Sequence, residues 1–487
     1  MRRCAVVGLV LCAPVLAVSC NVGPKAPPET PAPADSALLE ANDPSLNAAA
    51  QPEVRWWESL GDPALNDLIA RADAGNQSLA AATANVRVAY AGLGVTESAL
   101  WPTVGLGAQY SRTQTNIAQL AAAGVKLDPY NMYAWGVGAS SWELDLWGGV
   151  RRQVEAAAAS AESQVDLLRD ALVSVRGQVA AQYVQLRTLQ EQRRVLVENR
   201  DALAKTRDLV KGRFNAGTTN KLDLERAQAE LDSVDAQIPQ VEAGIASTKS
   251  VLAVLCGMQP AEIAPLLAEA RAIPSAPDVA GIGLPAQLLE RRPDVRGAWQ
   301  QLVAATAAIG VAESKRLPTI TVSGNFYIAS NDVAGLGQIE NRAYSFGPTL
   351  YLPLFTGGQI ENTVRQQRAS AEAALANYRD TVLTAVGDVS ATASDFVHAR
   401  ETRKRSEAAL ASAKSALVLA QQQFDAGVTD YSTLIDVQRA TLDAESGAVD
   451  ARAGLVQGFI SLQRALGAGW SESEQIVTAA RTKESAQ

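Results

Sequence analysis

Gly94-Val95-Thr96-Glu97-Ser98-Ala99-Leu100-Trp101-Pro102-Thr103-Val104 returns 216 residues later as Gly310-Val311-Ala312-Glu313-Ser314-Lys315-Arg316-Leu317-Pro318-Thr319-Ile320. Leu146-Trp147-Gly148-Gly149 returns as Phe355-Thr356-Gly357-Gly358 at an offset of 209. Phe214-Asn215-Ala216-Gly217 returns as Phe424-Asp425-Ala426-Gly427 at an offset of 210. The order is the same each time: helix, Pro, strands, Gly-Gly, long helix, Ala-Gly turn, second helix. The chain is two copies of one unit.

After each Pro the apolar period changes to two. Val104, Leu106, Ala108 and Tyr110 alternate with Thr103, Gly105, Gly107 and Gln109, and Ile320, Val322, Gly324, Phe326 and Ile328 alternate with polar neighbours. Such strands have one apolar and one polar face. Strands are expected at about 102–115, 133–146, 318–330 and 343–355. Their length of roughly 10 to 14 residues suits a tilted bilayer crossing.

Proline placement marks the helices. Eight of the 21 prolines fall between Pro24 and Pro63, none lies between Pro129 and Pro239, and none follows Pro353. The Pro-poor stretches are rich in Ala, Gln, Glu, Arg and Leu, which favour helix. Val165, Leu168, Leu172, Val175 and Val179 alternate in steps of three and four, a heptad seam. Leu196, Leu203 and Val210 then repeat every seven residues, with Arg193, Arg200 and Arg207 at the same period. A helix from about 150 to 213 is roughly 95 Å long, a stalk or tube wall rather than a globular core. The other long helices are expected at 219–256, 358–424 and 430–467.

Composition narrows the function. Among 487 residues there is 1 His and there are 4 Cys, so two-His metal sites and Ser-His-Asp triads within one chain are excluded. No catalytic residue, metal site or cofactor is expected, and His398 reads as a solvated helical residue. The formal charge of −8 makes the chain a poor nucleic-acid ligand. Met1-Arg2-Arg3 before the apolar run Cys4–Val18 reads as a secretory signal, residues 1–19. Leu16-Ala17-Val18-Ser19-Cys20 resembles a bacterial lipobox, with Ala17 where Leu is usual, and implies lipidation of Cys20 on a Pro-rich tether over 20–55. Asn21 implies the outer membrane as destination. Two structural repeats, 56–280 and 281–470, and a polar tail, 471–487, complete the division.

No later run is long enough for a transmembrane helix, so any span is built from strands. Four strands cannot close a barrel, and open edges are not tolerated in lipid; the chain must oligomerise. Three copies of four strands give twelve, an even number within the bacterial range. Two or four copies would also satisfy evenness.

Trp56-Trp57-Glu58, Gly61-Asp62-Pro63-Ala64-Leu65, Asn76-Gln77-Ser78-Leu79, Trp142-Glu143-Leu144-Asp145-Leu146-Trp147-Gly148, Leu284-Pro285-Ala286 and Arg291-Arg292-Pro293-Asp294-Val295-Arg296 resemble the TolC/OprM family, in its NodT-type lipoprotein branch. The resemblance implies a mainly α channel-tunnel with a transmembrane β-barrel segment, a homotrimer with a twelve-stranded barrel in outer-membrane lipid. It further implies passive export of drugs or other small molecules, handed over by an inner-membrane pump of the resistance-nodulation-division (RND) type through a periplasmic adaptor. The same fold also serves as the outlet of type I secretion systems, and a helical coiled coil without a pore is the structural alternative. On this resemblance the tips Ala216-Gly217-Thr218 and Ala426-Gly427-Val428 dock the adaptor. Asp436 and Arg439, with Phe424, belong to the network that shuts the periplasmic end. Phe424 stands where the family has Tyr, and Ser432 where it has a constricting Leu. Asp436 and Arg439 are spaced to pair with each other or to reach a neighbouring helix, and Asp430 is a candidate lumen-facing carboxylate.

Overall fold

The computed structural model describes residues 22–24, 27, 43–114, 128–283, 291–472 and 477. Cys20, the signal segment and Leu284-Pro285-Ala286 lie outside the described residues. The chain forms two compact units, one of Met1–Pro28, Ala91–Ser160 and Gln301–Leu375, the other of Glu29–Tyr90, Ala161–Gln300 and Ala376–Gln487.

The first unit is built on one antiparallel sheet of β1 (Val104–Thr113), β2 (Tyr130–Leu144), β3 (Thr319–Ser330) and β4 (Arg342–Tyr351), in that order. The two copies of the repeat join at its centre, where β2 of the first pairs with β3 of the second, with a bulge between Ala139 and Trp142. β4 ends at Tyr351, short of 355, because Pro353 has no N–H to extend a ladder. Among the described residues no helix is long and apolar enough to cross a membrane.

The helices are α1 (Pro63–Gly75), α2 (Gln77–Glu97), α3 (Gly149–Asn215), α4 (Lys221–Leu255), α5 (Pro293–Ser314), α6 (Gln359–Asp425) and α7 (Tyr431–Ala465). In the second unit the heptad pattern of α3 becomes an antiparallel ladder on α4. Leu196 and Leu203 pack against Leu231 and Val234. Arg193 meets Glu242 at 2.7 Å, Arg200 approaches Asp235 at 4.0 Å and Arg207 donates to Gln228 at 3.0 Å. Residues 228, 235 and 242 are themselves seven apart, so both chains of the ladder keep one register. Pro239 lies inside α4 without ending it.

The family motifs hold the core of this unit. Asp62 caps α1 through Ala64 N at 2.9 Å and accepts from the buried Tyr183 hydroxyl; burial and that carboxylate push Tyr183 up to about 12. Arg176 binds Asp73 at 2.8 Å and stacks over Trp57. Buried Arg292 donates to the carbonyls of Ala465 and Ala385 and to Asp294 and Asp388, tying the start of α5 to α6 and to the end of α7. Arg169 and Arg296 both stack on Trp470. Ala465 ends α7, so this charged donor satisfies a carbonyl that the helix itself cannot.

Candidate functional site

Opposed residues of an antiparallel pair lie on the same face, so the register assigns both faces of the sheet. One carries Val104, Ala139, Gly324 and Phe346 in a row, then Leu106, Val137, Phe326 and Tyr344, then Ala108, Trp135 and Ile328. The other carries Gly105, Gly138, Asn325 and Ser345, then Gly107, Gly136, Tyr327 and Ala343. The first face is apolar across all four strands in the first two rows, the third ending on β4 in Arg342 opposite Ile328, and Leu106, Val137, Phe346 and Tyr344 are exposed on it. The second is small and polar, a surface that tolerates water. Trp101, Leu354 and Phe355, just outside the strands, are also exposed, in the manner of residues at a membrane interface.

In the second unit the two Ala-Gly turns share one geometry. Gly217 has φ +74° and Gly427 φ +72°, values glycine adopts without steric cost. Gly217 N donates to Phe214 O and Thr218 N to Arg213 O, both at 2.9 Å; Gly427 N donates to Phe424 O at 3.0 Å and Val428 N to Gln423 O at 2.9 Å. Each is a Schellman cap. A side chain placed on either glycine would meet nothing within 4 Å, so glycine is required there for its backbone angle, and the outer surface of each tip is open. The next helix starts on a side-chain cap in both copies, Asn220 to Asp223 N and Asp430 to Thr433 N. The cap bonds, with the Ser432 hydroxyl, hold Asp430 below the usual carboxylate range.

Among the contacts that tie the first copy's helices to the second's near these tips, two involve arginines. Arg439, on α7, reaches α4 rather than Asp436: its Nε and Nη2 both donate to Glu230 Oε2, at 2.8 and 2.5 Å. The Glu230 side chain is 11% exposed and that of Arg439 55%; the carboxylate holds the guanidinium more firmly protonated than usual. Arg213, at the end of α3, lies 4.2 Å over the Phe424 ring and donates to Phe424 O at 3.0 Å. Phe424 is buried with Tyr431, Leu434, Val210 and Ala420, and burial pushes Tyr431 up to about 12. Asp436 is exposed and makes no hydrogen bond or ion pair among the described residues. The structure thus brings Phe424 and Arg439 into contacts with α3 and α4, leaves Asp436 in solvent and uses Asp430 and Ser432 at the start of α7.

Glu230, Arg213 and Tyr431 were not among the residues singled out from sequence. A signal for them exists in the repeat at offset 210. Ala229 stands opposite Arg439, Glu230 opposite Ala440, Lys221 opposite Tyr431 and Arg213 opposite Gln423: apart from Phe424, whose counterpart is Phe214, these bridging residues are ones in which the copies differ.

The family model for outer membrane efflux protein matches residues 68–258 and 284–468. The chain belongs to that family. This outer-membrane efflux channel is 29% identical over 457 residues to the pyoverdine export outer membrane protein OpmQ of Pseudomonas aeruginosa, covering 92% of this chain and 94% of that protein. It is 28% identical to nodulation protein T of Rhizobium leguminosarum bv. viciae, with 94% and 92% covered. Among solved structures, the outer-membrane channel OprN superposes with a TM-score of 0.86 at 30% identity, covering 93% of this chain and 100% of that one. The Campylobacter jejuni channel CmeC, at 21% identity and a TM-score of 0.86, shares the fold. The fold is that of the TolC-like channels, and the family is one of channel proteins.

Proposed function

We propose that this efflux channel is the passive outlet of a tripartite pump. Three copies close a twelve-stranded barrel, the open tips at Gly217 and Gly427 receive a periplasmic adaptor, and an RND-type inner-membrane pump supplies the energy. Cys20 carries the lipid that anchors the mature chain. The observation that carries the reading is the sheet: one face with an apolar band across all four strands, bounded by Arg342 at one end, one small and polar face, and the unpaired edges of β1 and β4, which lipid does not tolerate. Copies of the chain satisfy those edges and turn the polar face inward.

In the second unit, the Glu230–Arg439 pair and the Arg213–Phe424 contact act as latches. They hold the α6–α7 hairpin against α3 and α4, and opening requires that hairpin to move away. Relatives are named for export of pyoverdine and of toluene, which fits a conduit that leaves selection to its pump, and we assign small-molecule export over polypeptide secretion. The test is dye and drug accumulation in cells lacking this chain, paired with conductance of the purified protein in planar bilayers. Unchanged accumulation across pump substrates, or no conductance, would overturn the reading.

A further inference from the structure

Arg152, in the first turn of α3, is 2% exposed, yet it is a charged residue at a helix end. Its Nη1 binds Glu155 at 2.7 Å. Its other donors go to the backbone of the chain's N-terminal segment: Nη2 to Pro24 O at 2.8 Å and Nε to Val22 O at 3.3 Å. Val22 N in turn donates to Trp147 O at 3.2 Å. Gly310, on α5, completes the place. A side chain on Gly310 would begin 2.6 Å from Val22 O and 3.0 Å from the Arg152 side chain, and one on Gly23, whose φ is +89°, would begin 2.5 Å from Gly310 Cα. Two glycines in contact let the segment lie against the helix with no side chain between them.

The repeat provides an internal control. Gly94, the counterpart of Gly310, faces open space within 4 Å. Glu361, the counterpart of Arg152, is engaged with Arg316 and Arg365. Only one copy carries the seat, so the seat is not a by-product of the helix packing that both copies share.

We propose that Trp147, Arg152 and Gly310 form a docking seat for Val22–Pro24, and that the seat fixes the lipid on Cys20 beside the strand ends. Trp147 follows β2 and its indole donates to Pro318 O, just before β3, at 2.7 Å. With Val22 seated, Cys20 is two residues away, a reach of about 7 Å. Were the segment free, the Pro-rich tether from Cys20 to Asp43 would give it a reach of up to about 70 Å when extended. The seat therefore confines the acyl chains to the ends of β2 and β3, and Arg152 is a positioning residue for the anchor. Its membrane consequence rests on the lipidation of Cys20 proposed above; the seat itself does not.

The test is hydrogen exchange at the Val22 amide of the full chain in lipid nanodiscs, read by fragmentation mass spectrometry, for the wild type, Arg152→Ala and Gly310→Ala. Exchange in the wild type at least about tenfold slower than in either variant upholds the seat, in line with loss of a held backbone hydrogen bond. A wild-type rate equal to that of an unstructured peptide, or unchanged rates in both variants, overturns it. If Arg152→Ala does not assemble, Gly310→Ala decides, since it expels the segment by volume without removing a charge. The mass of the N-terminal peptide reads acylation separately. Unmodified Cys20 with a protected Val22 overturns the lipidation reading and upholds the seat; acylated Cys20 with an unprotected Val22 does the reverse.

Discussion

Breaking the Glu230–Arg439 pair should loosen the closed state by a measurable and reversible amount. A hydrogen bond to a charged group contributes about 1.5–3 kcal/mol, and a fully exposed ion pair under about 1 kcal/mol. Glu230 is nearly covered while Arg439 is more than half in solvent, so screening discounts the bond to about 1–2 kcal/mol per protomer. That amounts to a factor of about 5 to 30 in the ratio of closed to open. Single-channel recording in planar bilayers reads it directly as opening probability. Arg439→Ala and Glu230→Ala should each raise that probability by such a factor, and the exchanged pair Glu230→Arg with Arg439→Glu should restore closure. In contrast, Asp436→Ala should change ion preference and leave opening probability near the wild-type value, because Asp436 is exposed and makes no hydrogen bond or ion pair among the described residues. If the single variants assemble and open no more often than wild type, or if the exchange fails to rescue, the pair is an ordinary surface contact and the latch is wrong.

Three further outcomes follow from the same geometry. Leu106→Arg places a cation on the apolar face, at about 2–4 kcal/mol for a mid-membrane position, and should abolish heat-stable assembly in outer-membrane fractions, whereas Asn325→Lys on the opposite face should assemble and shift ion selectivity. Gly427→Val forces a β-branched residue to φ +72°, with strain of about 1–3 kcal/mol, and should weaken adaptor-dependent drug resistance while leaving barrel conductance intact. Asp170 is raised above the usual 3.8 by burial and by the nearby Asp294, so the folded state holds its proton more tightly than the unfolded one. Stability is then lost as pH rises from about 3.8 to the folded value; Asp170→Asn should raise the thermal midpoint at neutral pH, with the gain vanishing below that window.

The strands and long helices were legible because their burial is one-sided: a period of two after Pro102 and Pro318, and a heptad from Val165 to Val210, each report a face against a neighbour. The Ala-Gly tips were legible for a different reason, since a positive φ at Gly217 and Gly427 leaves glycine as the residue that meets no strain. The latches were not legible from spacing. Arg439 and Asp436 lie three apart on α7, but the partner of Arg439 is Glu230, 209 residues away, and local spacing carries no information about which helix stands alongside. Arg152 was hidden likewise: its acceptors are carbonyls, which every residue has, and only the backbone path of Val22–Pro24 reveals them.

The two repeats are one covalent chain, continuous from α4 to α5 and paired again by hydrogen bonds between β2 and β3, and this has a consequence for symmetry. In a ring of six identical units, any charge introduced on one tip helix appears on all six, and an arginine at the position of Arg439 would always face whatever the single sequence offers. Fusion frees each half to drift by itself. Arginine could settle at 439 while its twin stayed Ala229, and glutamate at 230 while its twin became Ala440. In the proposed trimer a sixfold ring of staves becomes a threefold one, in which each half of the chain carries one arginine and receives the other half's: Arg439 on Glu230, Arg213 on Phe424.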